Sequence, residues 1–172
     1  IVWTAFDLVS IPRVQPVELR RFSCGLSGLI YLMILSGGLV AGTHAGNAYS
    51  TWPLMGDSFV PVGLYTMTPV WLSAFEDVTT IQFNHRMFAY LIVALVIALA
   101  VRAFRYGIGG PIKVGIFCLI GLLVMQVALG VSTLIFYVPI PVAAAHQVGA
   151  VALLTASLFV SHCLYNGVRQ SN

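Results

Sequence analysis

The chain has 172 residues, of which 59% are hydrophobic and 8% charged, and its mean hydropathy is +0.97. A soluble globular domain carries roughly 25% charged residues, so the composition excludes one and describes a chain whose solvent is lipid. The net charge of +3 is small and scattered, which argues against a nucleic-acid partner and leaves sign a matter of membrane orientation.

The opening stretch, IVWTAFDLVSIPRVQP, is apolar from its first residue and lacks the basic region that precedes the apolar one in a signal peptide. Residues 1–18 are therefore expected to be the end of an earlier transmembrane helix and a linker, and residues 19–172 a transmembrane domain in the carboxyl-terminal part of a longer protein. Four apolar stretches follow, from about Phe22 to Thr43, Thr80 to Phe104, Ile112 to Phe136 and Pro141 to Leu164. Each is long enough to cross a bilayer, which takes ~20 residues as a helix. The expected fold is all-α, an integral membrane four-helix bundle.

Arg13, Arg20, Arg21, Arg102, Arg105, Lys113 and Arg169 flank the spans on one side, whereas the long connection between the first two spans holds Asp57, Glu76 and Asp77. By the positive-inside rule the basic ends face the cytoplasm or the mitochondrial matrix, and the long loop and the YVPIP turn face the other way.

That orientation places two histidines at one depth. His85 lies about six residues into the second span and His146 about five into the fourth, both from the long-loop side, so both imidazoles sit roughly 8 to 9 Å below the same helix ends. On two parallel helices they could face each other and ligate a flat metallo-macrocycle from both sides. Gly149 and Ala150, one turn below His146, and Phe88 and Ala89, below His85, put little bulk on those helix faces. Gly38 and Gly42 form a small-xxx-small pattern that allows close helix approach. Arg86, costly in lipid, could pair with an anion such as a haem propionate or snorkel to the interface. Either histidine could instead be a hydrogen-bonding residue between helices. His162, at the basic end, and His44, in the loop, are not expected to be ligands. Cys24, Cys118 and Cys163 have no metal-ligand spacing and read as packing residues.

SGLIYLMILSGGLVAG of the first span and IGLLVMQVALGVSTL of the third align around a late glycine, and each precedes a helix with a histidine near its start. This faint repeat suggests two helix pairs related by a pseudo-two-fold axis along the membrane normal.

The segments GGLVAGTHAGNAYSTWPLMGDSFVP, FEDVTTIQFNHRMFAYL and STLIFYVPIPVAAAHQVGAVALLTASL resemble the carboxyl-terminal half of haem A synthases. The resemblance runs through nearly the whole chain and rests on an aromatic-Pro-x-Met-Gly loop, a Gln-Phe-x-His-Arg helix start and a His-Gln-x-Gly helix start in the right order. It implies an oxidoreductase that converts a ring methyl of haem O to the formyl group of haem A for cytochrome oxidase, built from eight transmembrane helices in two similar halves. It further implies that His85 and His146 are the axial iron ligands of a haem b used for electron transfer. Catalysis would lie in the other half, whose Glu-x-x-His motif this chain lacks, so no catalytic residue is expected here. Asn84, where many relatives have Asp, and His44 depart from the family pattern.

The resemblance also implies partners: the lipid bilayer, haem O and the haem O synthase that supplies it, an unidentified electron-transfer partner and, as one arrangement, a homo-oligomer. The wording of the YVPIP turn and of the Phe-Glu-Asp segment suggests the mitochondrial inner membrane, with the histidine pair towards the intermembrane space; the bacterial cytoplasmic membrane is the alternative. Two rival readings are a membrane b-type cytochrome acting only as an electron carrier, and a copper-binding assembly factor using His44, Met55 and Met67. A transporter has little support, since no span carries an acidic residue.

Overall fold

A computed structural model describes Val2, Phe6 and residues 16–166. Most of the expected earlier helix end and linker, with Arg13, lies outside the described residues, as does Arg169. The described residues form the long helices α1 (Val17–Gly42), α3 (Val78–Arg105), α4 (Gly110–Ile135) and α5 (Ile140–Asn166), one short α-helix, α2 (Ser73–Glu76), and two 3-10 turns, Ala45–Asn47 and Val70–Leu72. The four long helices are each long and apolar enough to cross a membrane. All of their ends fall within two residues of those read from the sequence, except that α1 begins five residues early. Its extra turn is polar, so hydropathy does not register it. Pro16 starts it, its carbonyl accepting from the Arg20 N–H at 3.2 Å.

Local chemistry explains the other ends. Asp77 caps α3: its carboxylate accepts from the backbone N–H of Thr80 at 2.9 Å and of Thr79 at 3.4 Å, and from the Thr80 hydroxyl. Such a cap contributes about 1 kcal/mol. The helix leaves through a Schellman turn, with Gly107 at φ +64° and the Ile108 N–H reaching the Ala103 carbonyl at 3.1 Å. The end of α4 repeats this closure without glycine. Val138 N–H bonds to Thr133 O at 2.7 Å, Tyr137 N–H to Leu134 O at 3.2 Å, and Tyr137 and Val138 have φ of 58° and 57°. A β-branched residue in that region is strained, so YVPIP is a turn held by its surroundings.

The chain divides into two compact units. The first comprises residues 1–31, 92–124 and 151–172. Its core includes Leu19, Leu26, Ile30, Leu99, Ile116 and Leu164. Within it the Ser27 hydroxyl lies 2.7 Å from that of Ser157 and 3.0 Å from that of Ser161. These hydroxyls partner one another where water cannot. Gly115 forms a notch against Phe159, whose Cδ1 would lie 2.9 Å from a Cβ placed there. Basic side chains lie over aromatic rings, Arg102 4.7 Å from the centre of Phe22 and Arg20 5.2 Å from Tyr165.

The second unit comprises residues 32–91 and 125–150. It contains the long loop with Asp57, Glu76 and Asp77, and among the described residues Arg86 is its one Lys or Arg. Both histidines of the expected pair belong to it.

Candidate functional site

Each histidine of the expected pair rests on a glycine of the preceding long helix. On α3, a Cβ at Gly37 of α1 would stand 3.4 Å from Cε1 of His85. On α5, a Cβ at Gly130 of α4 would stand 3.1 Å from Cε1 of His146 and 3.5 Å from its Nε2. The late glycines of the sequence repeat therefore do the same thing twice: they let an imidazole edge lie against helix backbone.

The Nδ1 sides differ. His85 Nδ1 is 3.0 Å from the Ser36 hydroxyl, a bond that fixes the ring plane and leaves Nε2 as the atom for a metal when Nδ1 carries the proton. His146 Nδ1 is buried and has no partner among the described residues. Gln126 of α4 donates from Nε2 to the His146 carbonyl at 3.1 Å, and its Oε1 is likewise buried without a partner. Two imidazoles, each set against a glycine, with one oriented through Nδ1 and the other holding an orphaned ring nitrogen, are a donor set that fits a haem iron.

Arg86, only 6% exposed, does something the sequence did not announce. Its Nη1 donates to the carbonyls of Thr51 (2.9 Å) and Leu54 (3.2 Å), and its Nη2 to that of Tyr49 (3.1 Å). Gln82, one turn earlier, donates to Tyr49 O at 3.0 Å and Gly46 O at 3.4 Å. The Tyr65 hydroxyl donates to Asn84 Oδ1 at 2.5 Å, and the Tyr65 N–H to the Thr80 hydroxyl at 3.2 Å. The long loop is thus fastened to the first three turns of α3, immediately beside His85. Nε of Arg86 is buried and unpartnered among the described residues, as is the Tyr90 hydroxyl one turn on.

Two sequence expectations need correction. Gly38 and Gly42 are exposed, with nothing among the described residues within 4 Å of a Cβ placed at either. The glycines that make room are Gly37, Gly115, Gly130 and Gly149, because residues 37 and 38 point about 100° apart on a helix of ~3.6 residues per turn and the spacing alone does not say which points inward. The space beside Gly149 is also not left open for a ring. Gln126 fills it, its Nε2 lying where a Cβ would stand.

Elsewhere, His162 is fully buried in the first unit, edge-on to Phe6 at 5.6 Å. His44 is exposed at φ 55°, whereas Met55 is buried. Among the described residues no group of three or more His, Cys, Asp or Glu converges. Sequence reasoning missed Ser36 and Gln126, and it marked the late glycines of the repeat without the role that Gly37 and Gly130 have under the imidazoles. For Gln126 a signal existed: it is an amide in the middle of an otherwise apolar span, where polar side chains join helices.

The family model for the cytochrome oxidase assembly protein COX15-CtaA matches residues 1–158. A protein named heme A synthase from Nitrosospira multiformis is 39% identical over 93% of this chain and 46% of its own length. Human heme A synthase COX15 is 39% identical over 92% of this chain and 40% of its own length. The heme A synthase of Paramagnetospirillum magneticum is 45% identical over 94% of this chain and 47% of its own length. The chain thus spans a little under half the length of these curated relatives.

Proposed function

Because the chain belongs to the COX15-CtaA family of cytochrome oxidase assembly proteins, we propose that it acts in haem A biosynthesis, as the part of a haem A synthase that holds a haem b between His85 and His146. The observation that carries the reading is the repeated cradle, Gly37 under His85 and Gly130 under His146. His85 presents Nε2 through the bond of its Nδ1 to Ser36, and Arg86 offers its uncommitted Nε to an anionic group such as a propionate.

A haem held by the imidazoles of His85 and His146 would supply one-electron transfer rather than dioxygen chemistry. Oxidising a haem O methyl to a formyl group with water as the oxygen source releases four electrons and four protons, and a one-electron carrier at His85 and His146 would suit removal of those electrons in single steps to an electron-transfer partner. This chain's residues bind and orient that carrier, and the fastened loop shields it from water. The methyl chemistry belongs to the remainder of the longer protein. The membrane is the mitochondrial inner membrane, with the histidines on the intermembrane-space side, on the wording of the YVPIP turn and the Phe-Glu-Asp segment. The equal 39% identity to the human and Nitrosospira proteins makes the bacterial cytoplasmic membrane the second reading. The bilayer, haem O, the synthase that supplies haem O, and an electron-transfer protein are the partners this function requires.

The test is expression of the full-length protein, wild type or His85→Ala, in cells lacking their own haem A synthase, followed by chromatography of extracted haems. The variant should accumulate haem O and lose haem A. Haem A formation at the wild-type level in a variant that has lost its low-spin haem would refute an electron-transfer role in this reaction.

A further inference from the structure

The two histidines are supported unequally, and the inequality sits beside two buried groups that match. His85 Nδ1 has Ser36. His146 Nδ1, buried, has no partner among the described residues, and neither has Oε1 of Gln126. One is a nitrogen able to donate and the other an oxygen able only to accept. They belong to side chains already joined, since Gln126 Nε2 donates to the main-chain carbonyl of His146 at 3.1 Å. A buried amide oxygen with no donor keeps its full desolvation penalty, so each group has reason to find the other.

From this geometry we infer that Gln126 is the positioning residue of His146: its Oε1 takes the Nδ1–H of His146 when the ring presents Nε2 to a metal, as Ser36 does for His85. The inference rests on the haem-binding reading above. Second-layer partners of this kind fix the tautomer and ring plane of a ligating histidine and raise its basicity.

Two further facts confine Gln126 to this task. It is only 6% exposed on α4, a helix long and apolar enough to cross a membrane. Its amide also lies in the notch at Gly149, one turn beyond His146 on α5, where any side chain would expel it. Gly149 therefore keeps the amide beside the ligand, which gives a reason for glycine at that position that helix packing alone does not. The parallel with α1 is close in sequence: Ser36 directly precedes Gly37, and Gln126 stands one turn before Gly130. In each helix pair the helix that supplies the glycine under the ring also supplies the polar group beside it.

The experiment uses the full-length protein, in which this haem is identified as the low-spin signal lost in His146→Ala. The variants are Gln126→Met, Gln126→Glu and Gly149→Ala, each assayed for haem content, reduction potential and low-spin electron paramagnetic resonance. Gln126→Met removes the acceptor at similar length and should raise the potential and shift the resonance, with haem content near wild type. Gln126→Glu keeps an acceptor oxygen and should restore the wild-type direction or lower the potential. Gly149→Ala should reproduce Gln126→Met although the glutamine is still present, and the double variant should add nothing to the single one.

An unchanged potential and resonance in Gln126→Met and Gly149→Ala would overturn the inference. So would lost haem or lost thermal stability with an unshifted signal in the haem that remains, since that pattern is helix packing alone. A wild-type protein with no signal sensitive to His146→Ala would instead overturn the haem reading itself, and the two failures are thereby distinguishable.

Discussion

Replacing Arg86 with methionine should release the long loop from α3. The side chain makes three bonds to backbone carbonyls, at 2.9, 3.1 and 3.2 Å, and hydrogen bonds to a charged group contribute about 1.5–3 kcal/mol each. Not all of that is lost in the variant. Thr51 and Leu54 are exposed, so water replaces the bonds to their carbonyls, whereas Tyr49 is half-buried. Removing Nε, buried and unpartnered among the described residues, recovers part of a desolvation cost. A net loss of about 2–4 kcal/mol in loop closure follows, or ~30- to ~1000-fold in the open population, since ~1.4 kcal/mol is tenfold.

Hydrogen exchange reads this directly, because local opening exposes individual amides. The Met55 N–H, bonded to Ser58 O at 2.8 Å, and the Gly56 N–H, bonded to the Thr51 hydroxyl at 2.9 Å, are the reporters. Both should exchange faster by that factor in Arg86→Met, while amides in the middle of α4 keep their protection. Arg86→Lys retains the charge without the planar fork and should fall between. Exchange at Met55 and Gly56 within about threefold of wild type in Arg86→Met would refute the clamp, because ~0.6 kcal/mol is less than one such bond contributes.

The remaining predictions concern close approaches. Gly115→Ala places a Cβ 2.9 Å from Phe159 and 3.0 Å from Val160, so it should lower thermal stability by about 1–3 kcal/mol of overpacking; Gly42→Leu, facing open space, should leave the melting temperature unchanged. Gly37→Ala, at an ordinary 3.4 Å from His85, should be tolerated, whereas Gly130→Ala, at 3.1 Å from His146, should shift the low-spin haem spectrum; equal spectra in the two variants would count against unequal crowding. Ser27→Ala removes a hydroxyl that meets Ser157 and Ser161 and should cost about 0.6 kcal/mol, and no more than about 1.7 kcal/mol, in detergent unfolding, as for interhelical hydrogen bonds in membranes generally.

Much of this was legible in the sequence, for stated reasons. Span length and hydropathy located four helices because a bilayer demands ~20 apolar residues, and the caps outside the apolar runs account for the small shifts in their ends. The depth of His85 and His146 followed from counting residues, and both belong to one compact unit. Rotation about a helix axis was not legible. Gly37 and Gly38 are neighbours in sequence, yet only Gly37 meets a side chain, and nothing in a uniformly apolar span fixes that phase. The loop was opaque for another reason: Arg86 is satisfied by carbonyls of residues 49, 51 and 54, and a backbone acceptor leaves no trace in side-chain identity. Gln82 and Gln126 were readable as polar residues inside spans, but their partners were not.

Ligation of a haem by His85 and His146 is tested most directly by the visible spectrum. Full-length protein purified in detergent after expression with adequate haem should show the sharp reduced bands of a low-spin b-type haem. In His85→Ala and in His146→Ala those bands should fade or turn high-spin, with circular dichroism of the helices unchanged. A low-spin haem that survives intact in both variants, or one lost only together with the helices, would contradict ligation by His85 and His146.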